Sequence, residues 1–181
     1  MAIYIRRAQE KDLTEIIRLI EAGKKVLSDR ENPQWQDGHP TVAMMKDDIK
    51  HGYSWVLIDD KQVVGTAVLQ LRAEQNYAEI TDGQWAKSDE PYAIIHRLTI
   101  DQTADSQHLG KFFLSNLITV GYLQGVRNFR YDTHLKNVSM QKLGEGMGFV
   151  QRGTVYIKDD TDPEHLGYEL CLEDEQAVAE E

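Results

Sequence analysis

The stretch Tyr92-Ala-Ile-Ile-His-Arg-Leu-Thr-Ile100 runs into the polar segment Asp101-Gln-Thr-Ala-Asp-Ser-Gln-His108, and then into Leu109-Gly110, where a helix opens. A near-continuous apolar run broken only by His96 and Arg97 predicts a strand covered on both faces. Strand, short loop and helix in that order bring unpaired backbone N–H groups and the positive end of a helix dipole to one place. Such a place suits a phosphate. Gly110 lets that backbone approach a ligand closely. Most strand–loop–helix units hold no phosphate, so the pattern needs support from elsewhere in the chain.

Other residue types narrow the chemistry. Cys171 is the single cysteine, so no internal disulfide forms, and within Tyr-Glu-Leu-Cys-Leu it reads as a small core hydrophobe rather than a nucleophile. Trp35 sits among turn formers in Asn32-Pro-Gln-Trp-Gln-Asp-Gly-His-Pro40, where it either pins the loop to the core or walls a pocket. A net charge of −10 argues against a nucleic-acid partner and favours a cationic substrate such as an amine. No apolar run is long enough for a membrane span and the first residues lack a signal-peptide pattern, so a cytoplasmic location is expected. No metal-ligand motif stands out.

The elements that position these residues follow from periodicity. Ile3-Tyr-Ile-Arg-Arg alternates as a strand, and Leu13, Ile16, Ile17 and Ile20 fall on one face of a helix over 10–25. Thr41 caps a second helix reaching 51, with Met44, Met45 and Ile49 on its buried side. Two apolar runs around Asp59-Asp60-Lys61 predict a hairpin, with Gly65 marking a bulge or close approach. Residues 72–90 form a polar connection with room for a turn of helix or a strand extension. Beyond the central strand, a buried helix reaches Leu123 and ends at Gly125. Asn128 to His134 is a strand, 137–145 a short helix, and 150–172 a final hairpin. The order β-α-α-β-β-β-α-β-α-β-β predicts one mixed α/β domain over 1–172, with an acidic tail over 173–181.

Two separated segments then agree. Leu98-Thr-Ile, Gly110 ten residues on, and Asn137 with Gly148-Phe149 eleven residues beyond it resemble the GCN5-related N-acetyltransferase (GNAT) family. Gln34-Trp-Gln-Asp-Gly-His-Pro, Asp48-Ile, Val64-Gly-Thr-Ala, Tyr92-Ala-Ile-Ile-His-Arg-Leu and Asp132-Thr-His-Leu-Lys-Asn-Val-Ser-Met-Gln resemble a bacterial branch of it. The likeness covers nearly all of 3–157. It implies a largely antiparallel sheet whose two central strands splay apart, with acetyl-CoA as donor. It implies that the main chain of Leu98, Thr99 and Ile100 pairs with the pantetheine arm. The amides of Ser106, Gln107, His108, Leu109, Gly110 and Lys111 would cradle the pyrophosphate, and Asn137 would reach the pantetheine or its thiol end. Dimers through terminal strands are common in the family.

Two positions depart from the family pattern. The usual loop Arg/Gln-x-x-Gly-x-Gly/Ala is here Asp105-Ser-Gln-His-Leu-Gly110, which places a carboxylate near a diphosphate and a Cβ at His108. The position seven residues after Asn137, commonly a Tyr that protonates the departing thiolate, is Gly144. Tyr156, or water and backbone amides, would then take that role. Amine acetylation needs a proton acceptor, and the resemblance offers Asp132 and His96. Each has an alternative: His96 as a satisfied core histidine, Asp132 as a partner of Arg97 or Arg130. Trp35, Trp85, Tyr92 and His134 either line the acceptor pocket or fill the core. The expected activity is acetyl transfer to an amine of a small molecule or peptide by direct attack. O-acetyl transfer and a non-catalytic acyl-CoA-binding domain are the alternatives.

Overall fold

The computed structural model describes residues 2–104, 106–158 and 160–172, apart from the side chains of 106 and 107. Asp105 and the tail over 173–181 therefore lie outside the described residues. The chain forms β1 (Ile3–Arg7), α1 (Leu13–Asp29), α2 (Val42–Lys50), β2 (Ser54–Asp59), β3 (Gln62–Gln70) and a short β4 (Ile80–Thr81). There follow β5 (Tyr92–Ile100), α3 (Ser106–Leu123), β6 (Asn128–His134), α4 (Val138–Glu145), β7 (Val150–Tyr156) and β8 (Glu164–Cys171). The two-residue β4 adds one strand to the expected order, in the connection where the sequence allows a turn of helix or a strand extension. The turn of helix is there too, over Gln75–Tyr77. The strand interrupts the connection over 72–90 and pairs with β7 at the sheet's edge.

The eight strands make one sheet in the order β1-β2-β3-β5-β6-β8-β7-β4. All neighbours are antiparallel except β5 and β6, which are parallel. Alternation along the strands sorts side chains between two helical layers. Val56 and Ile58 meet Ile16 and Ile20 of α1 and Met45 of α2 on one face. Leu57, Ala93, Ile95 and Phe129 meet Phe113, Leu114 and Leu117 of α3 on the other. Ile94, fully buried, packs instead with Tyr77, Trp85 and Val155, so β5 is covered on both faces as its composition requires.

Local signals hold in detail. The Thr41 hydroxyl accepts the Met44 N–H and caps α2. Gly125, at φ +88°, closes α3 while Val126 N–H bonds Gly121 O, a Schellman ending. At Gly65 a Cβ would lie 2.8 Å from Ile100 Cδ1, which explains the glycine by close approach. One helix face is corrected: Met44 is 36% exposed, whereas Met45 and Asp48 form the buried side of α2.

Candidate active site

The parallel pair β5/β6 is joined only from Tyr92–Ile94 to Asn128–Arg130. Beyond that register β5 continues to Ile100 and β6 to His134, and the two strands part. The parting has a local cause. Thr66 pairs with Thr99 and Val68 with His96, so β5 carries one residue more than β3 across that interval. Arg97 takes up the surplus at φ +53°, a left-handed conformation that costs a non-glycine residue on the order of 1 kcal/mol. Its guanidinium is held by the Asp48 carboxylate at 2.5 Å, which fixes the bulge to α2. Meanwhile β6 stays paired with β8 through His134↔His165, so the sheet opens between its central strands and nowhere else nearby.

The wedge so formed is a cleft of about 1440 Å³. Such a volume exceeds the several hundred Å³ usual for one small ligand. At one end lies the start of α3, where His108, Gly110 and Lys111 face the cleft and the first turn holds no acidic residue. A Cβ on Gly110 would meet only Leu143 methyls at 3.6 Å, so the glycine keeps this helix start clear without being forced by packing. Leu109 turns into the core instead. Leu98, Thr99 and Ile100 line one wall, and Asn137 the other. Both polar atoms of Asn137 are engaged: Oδ1 caps α4 by accepting Met140 N–H, and Nδ2 donates to Gln34 Oε1 at 3.1 Å. These contacts fit an elongated ligand with a phosphate end. Helix N–H groups and Lys111 would face such an anion, and an apolar-to-amide wall would face its arm.

Where the strands part, ionisable groups gather. Asp132 on β6 accepts the Tyr77 hydroxyl at 2.5 Å on one oxygen and His165 Nδ1–H of β8 at 2.6 Å on the other. Burial works to raise the Asp132 carboxyl, yet the bond and charge of His165 hold it below the ordinary carboxylate range. His96 faces this cluster from β5, with Nε2 3.9 Å from Glu74. Burial pushes its imidazole below the usual value, so it stays neutral. Arg97 and Arg130 are not the partners of Asp132. Arg97 is bound to Asp48, and Arg130 is buried against Glu169 at 3.0 Å.

The other sequence-predicted residues divide. Trp35 does both things open to it, lining the cleft while packing beside the α1/α2 core. Trp85 and Tyr92 do not reach the cleft. They stack on the Arg130 guanidinium at 4.2 and 3.9 Å, and Trp85 donates its N–H to Tyr77 O. His134 does not reach it either. Lys136 N–H occupies its Nδ1 and Asp162 its Nε2, so neither nitrogen is left for chemistry. Tyr156 is 62% exposed on β7 and cannot stand in for a helix tyrosine at the cleft. The Cys171 thiol is raised by burial and Glu169 and does not line the cleft, in keeping with a packing role. Among described residues, no group of His, Cys, Asp and Glu could hold a metal, and no helix is long and apolar enough to cross a membrane.

Sequence reasoning missed Tyr77, His165 and Asp160. Each comes from a segment whose local pattern says only turn or hairpin, and only the strand order β6-β8 sets His165 beside Asp132.

The sequence model of the acetyltransferase (GNAT) family matches residues 20–149. No curated protein matches the chain. Among solved structures, a GNAT-family acetyltransferase from Streptococcus agalactiae 2603 is 31% identical. The match covers 95% of this chain and 96% of that one, with a TM-score of 0.85. A GNAT-family acetyltransferase from Listeria monocytogenes 4b F2365 superimposes with a TM-score of 0.72 at 16% identity, over 94% and 95% of the two chains. The PaiA N-acetyltransferase from Thermoplasma acidophilum, solved with coenzyme A, gives 0.68 at 18% identity over 94% and 99%. The last two show likeness of fold alone. A cleft opened by splayed central strands, the family match over most of the chain and the 31% identical relative lead to one assignment: the protein belongs to the GNAT family of acetyltransferases.

Proposed function

We propose that the protein moves the acetyl group of acetyl-CoA to a primary amine of a small molecule or peptide, by direct attack with both substrates bound. The observation that carries this reading is the arrangement of one cleft. A helix start suited to a diphosphate lies at one end, and a carboxylate–imidazole cluster lies where the strands part. The amides of 106–111 take the pyrophosphate, and the main chain of Leu98, Thr99 and Ile100 runs beside the pantetheine arm. Asn137 lies along the same arm as the cap of α4, its one remaining amide hydrogen available to it.

On this reading the acetyl group sits between His96 and Asp132. Attack by nitrogen forms the N–C bond and breaks the C–S bond, whose electron pair leaves on sulfur. His96, neutral through burial, takes the proton that nitrogen loses as the bond forms. The thiolate gains its proton from water. Asp132, Glu74 and Asp160 turn negative charge toward the acceptor half, in line with a cationic acceptor, and Trp35 forms its wall.

Calorimetric titration with acetyl-CoA tests the donor site. The parent chain should bind it, Gly110→Glu should lose at least about tenfold through charge at the helix start, and Asn137→Ala should lose less. Equal binding by the parent chain and Gly110→Glu places the diphosphate elsewhere and defeats this reading of α3.

A further inference from the structure

An amine acceptor reaches the protein as an ammonium. At the ordinary alkylammonium pKa of about 10, roughly one molecule in a thousand is neutral near physiological pH. Two protons must therefore leave the nitrogen, one before it can attack and one as it does. His96 accounts for the second, and the first needs its own acceptor.

We infer that His165 is that acceptor: Asp160 seats the incoming ammonium, and His165 Nε2, aligned by Asp132, removes the proton that must leave before attack. This rests on the amine reading above and extends it to a residue outside the sequence candidates. The geometry is specific. An ionised carboxylate can only accept, so the 2.6 Å contact with Asp132 puts the His165 proton on Nδ1 and leaves the lone pair of Nε2 on the side of Asp160. Nε2 has no hydrogen-bond partner although the ring is 97% buried, and His165 lines the cleft. Asp160 Oδ2 stands 3.4 Å from it, close enough for both to touch one nitrogen. Tyr77 holds the second oxygen of Asp132, so the carboxylate cannot swing away.

The charged and titratable groups around His165 come from three directions. Asp132 and the His134 ring, 5.7 Å away, belong to β6, Asp160 and Asp162 to the turn before β8, and His96 faces Asp132 from β5. Burial opposes the imidazolium, but the three carboxylates outweigh it and raise His165 above the usual histidine value. Its affinity for a proton thereby moves toward that of the ammonium it must deprotonate. The balance closes: the ammonium N–H bond breaks toward Nε2, the neutral amine attacks, and the imidazolium later releases its proton to solvent past Asp160.

The test compares two amines in acetyl-CoA turnover followed by thiol release, with ethanolamine as the strongly basic probe and hydroxylamine as one largely neutral near physiological pH. His165→Gln should lower the ethanolamine rate about 100-fold. It should leave the hydroxylamine rate within about twofold. The lost ethanolamine rate should return as the pH rises toward the amine's own pKa, where solution supplies the neutral form. Asp132→Asn, which frees the ring to take the other tautomer, should lower the ethanolamine rate at least as far, and the double variant should add little to that loss; the comparison between the two amines is read on His165→Gln. Acetyl-CoA binding measured by calorimetry confirms that each variant is folded. Equal loss with both amines, or no loss with ethanolamine, overturns the inference while leaving the amine reading intact. A parent chain that binds acetyl-CoA yet turns over neither probe above hydrolysis defeats the amine reading itself, and the inference with it.

Discussion

The Tyr131 hydroxyl on β6 fills the space that a side chain on Gly144 of α4 would need. A Cβ there would lie 2.6 Å from Tyr131 Cζ and nearer still to the hydroxyl. Tyr131 is itself fixed, stacked on Tyr168 at 4.8 Å and edge-on to Phe149. Helix α4 therefore approaches β6 too closely at Gly144 to carry the tyrosine that the family resemblance suggests there. Gly144→Ala should destabilise the fold by about 1–3 kcal/mol, as overpacking does. Shortening the neighbour in Tyr131→Ala should make the second substitution cost less than it does alone. Urea midpoints of the two single variants and the double variant check this, and strictly additive losses would contradict the contact.

Asn137 ties the start of α4 to the 32–40 loop through Gln34, which also touches the Thr133 hydroxyl at 3.4 Å. Asn137→Ala should lower stability by about 1 kcal/mol through the lost cap of α4. Gln34→Ala should cost less alone and show coupling with Asn137→Ala, because both end the same bond between the 32–40 loop and α4. Thermal melts of the two single variants and the double variant measure this coupling.

Glu169 is fully buried, and four groups share its two oxygens: Arg130 Nε and Nη2 on one, Arg152 and the Ala86 N–H on the other. Glu169→Ala should cost about 3–5 kcal/mol, because it strands the buried guanidinium of Arg130 between Trp85 and Tyr92. Replacing Arg130 and Glu169 together with Met and Leu should recover much of that. Denaturant unfolding followed by tryptophan fluorescence provides the measurement.

Asp12 gives the fold an acid-sensitive contact. The Arg6 guanidinium, hydrogen-bonded to it at 2.7 and 2.9 Å, holds its carboxyl below the ordinary value, with the Gln9 N–H assisting. A depressed carboxyl contributes stability that is full above its unfolded pKa of about 3.9, and that is lost as pH falls through the folded value. Asp12→Asn should therefore be less stable than the parent at neutral pH, with the gap closing below about pH 4. A gap that persisted unchanged into acid would show that the charge plays no part.

Local pattern in the chain carried every element except β4, and with them the family. Alternation and helical periodicity are local properties, so β5, α1 and α3 could be read from Tyr92–Ile100, Leu13–Ile20 and Phe113–Leu117. That Leu98–Ile100, Gly110 and Asn137 lie along one cleft was implied by the family resemblance. Tertiary structure decided the rest, because it depends on which strands become neighbours. The pairing β6-β8 gave Asp132 His165 in place of an arginine, and Arg130 drew Trp85 and Tyr92 away from the pocket into a stack. The close approach of α4 to Tyr131 turned the absence of a side chain at Gly144 from an apparent loss into a packing requirement. Contacts between residues tens of positions apart leave no periodic trace in the chain, and the cluster around Asp132 consists almost wholly of such contacts.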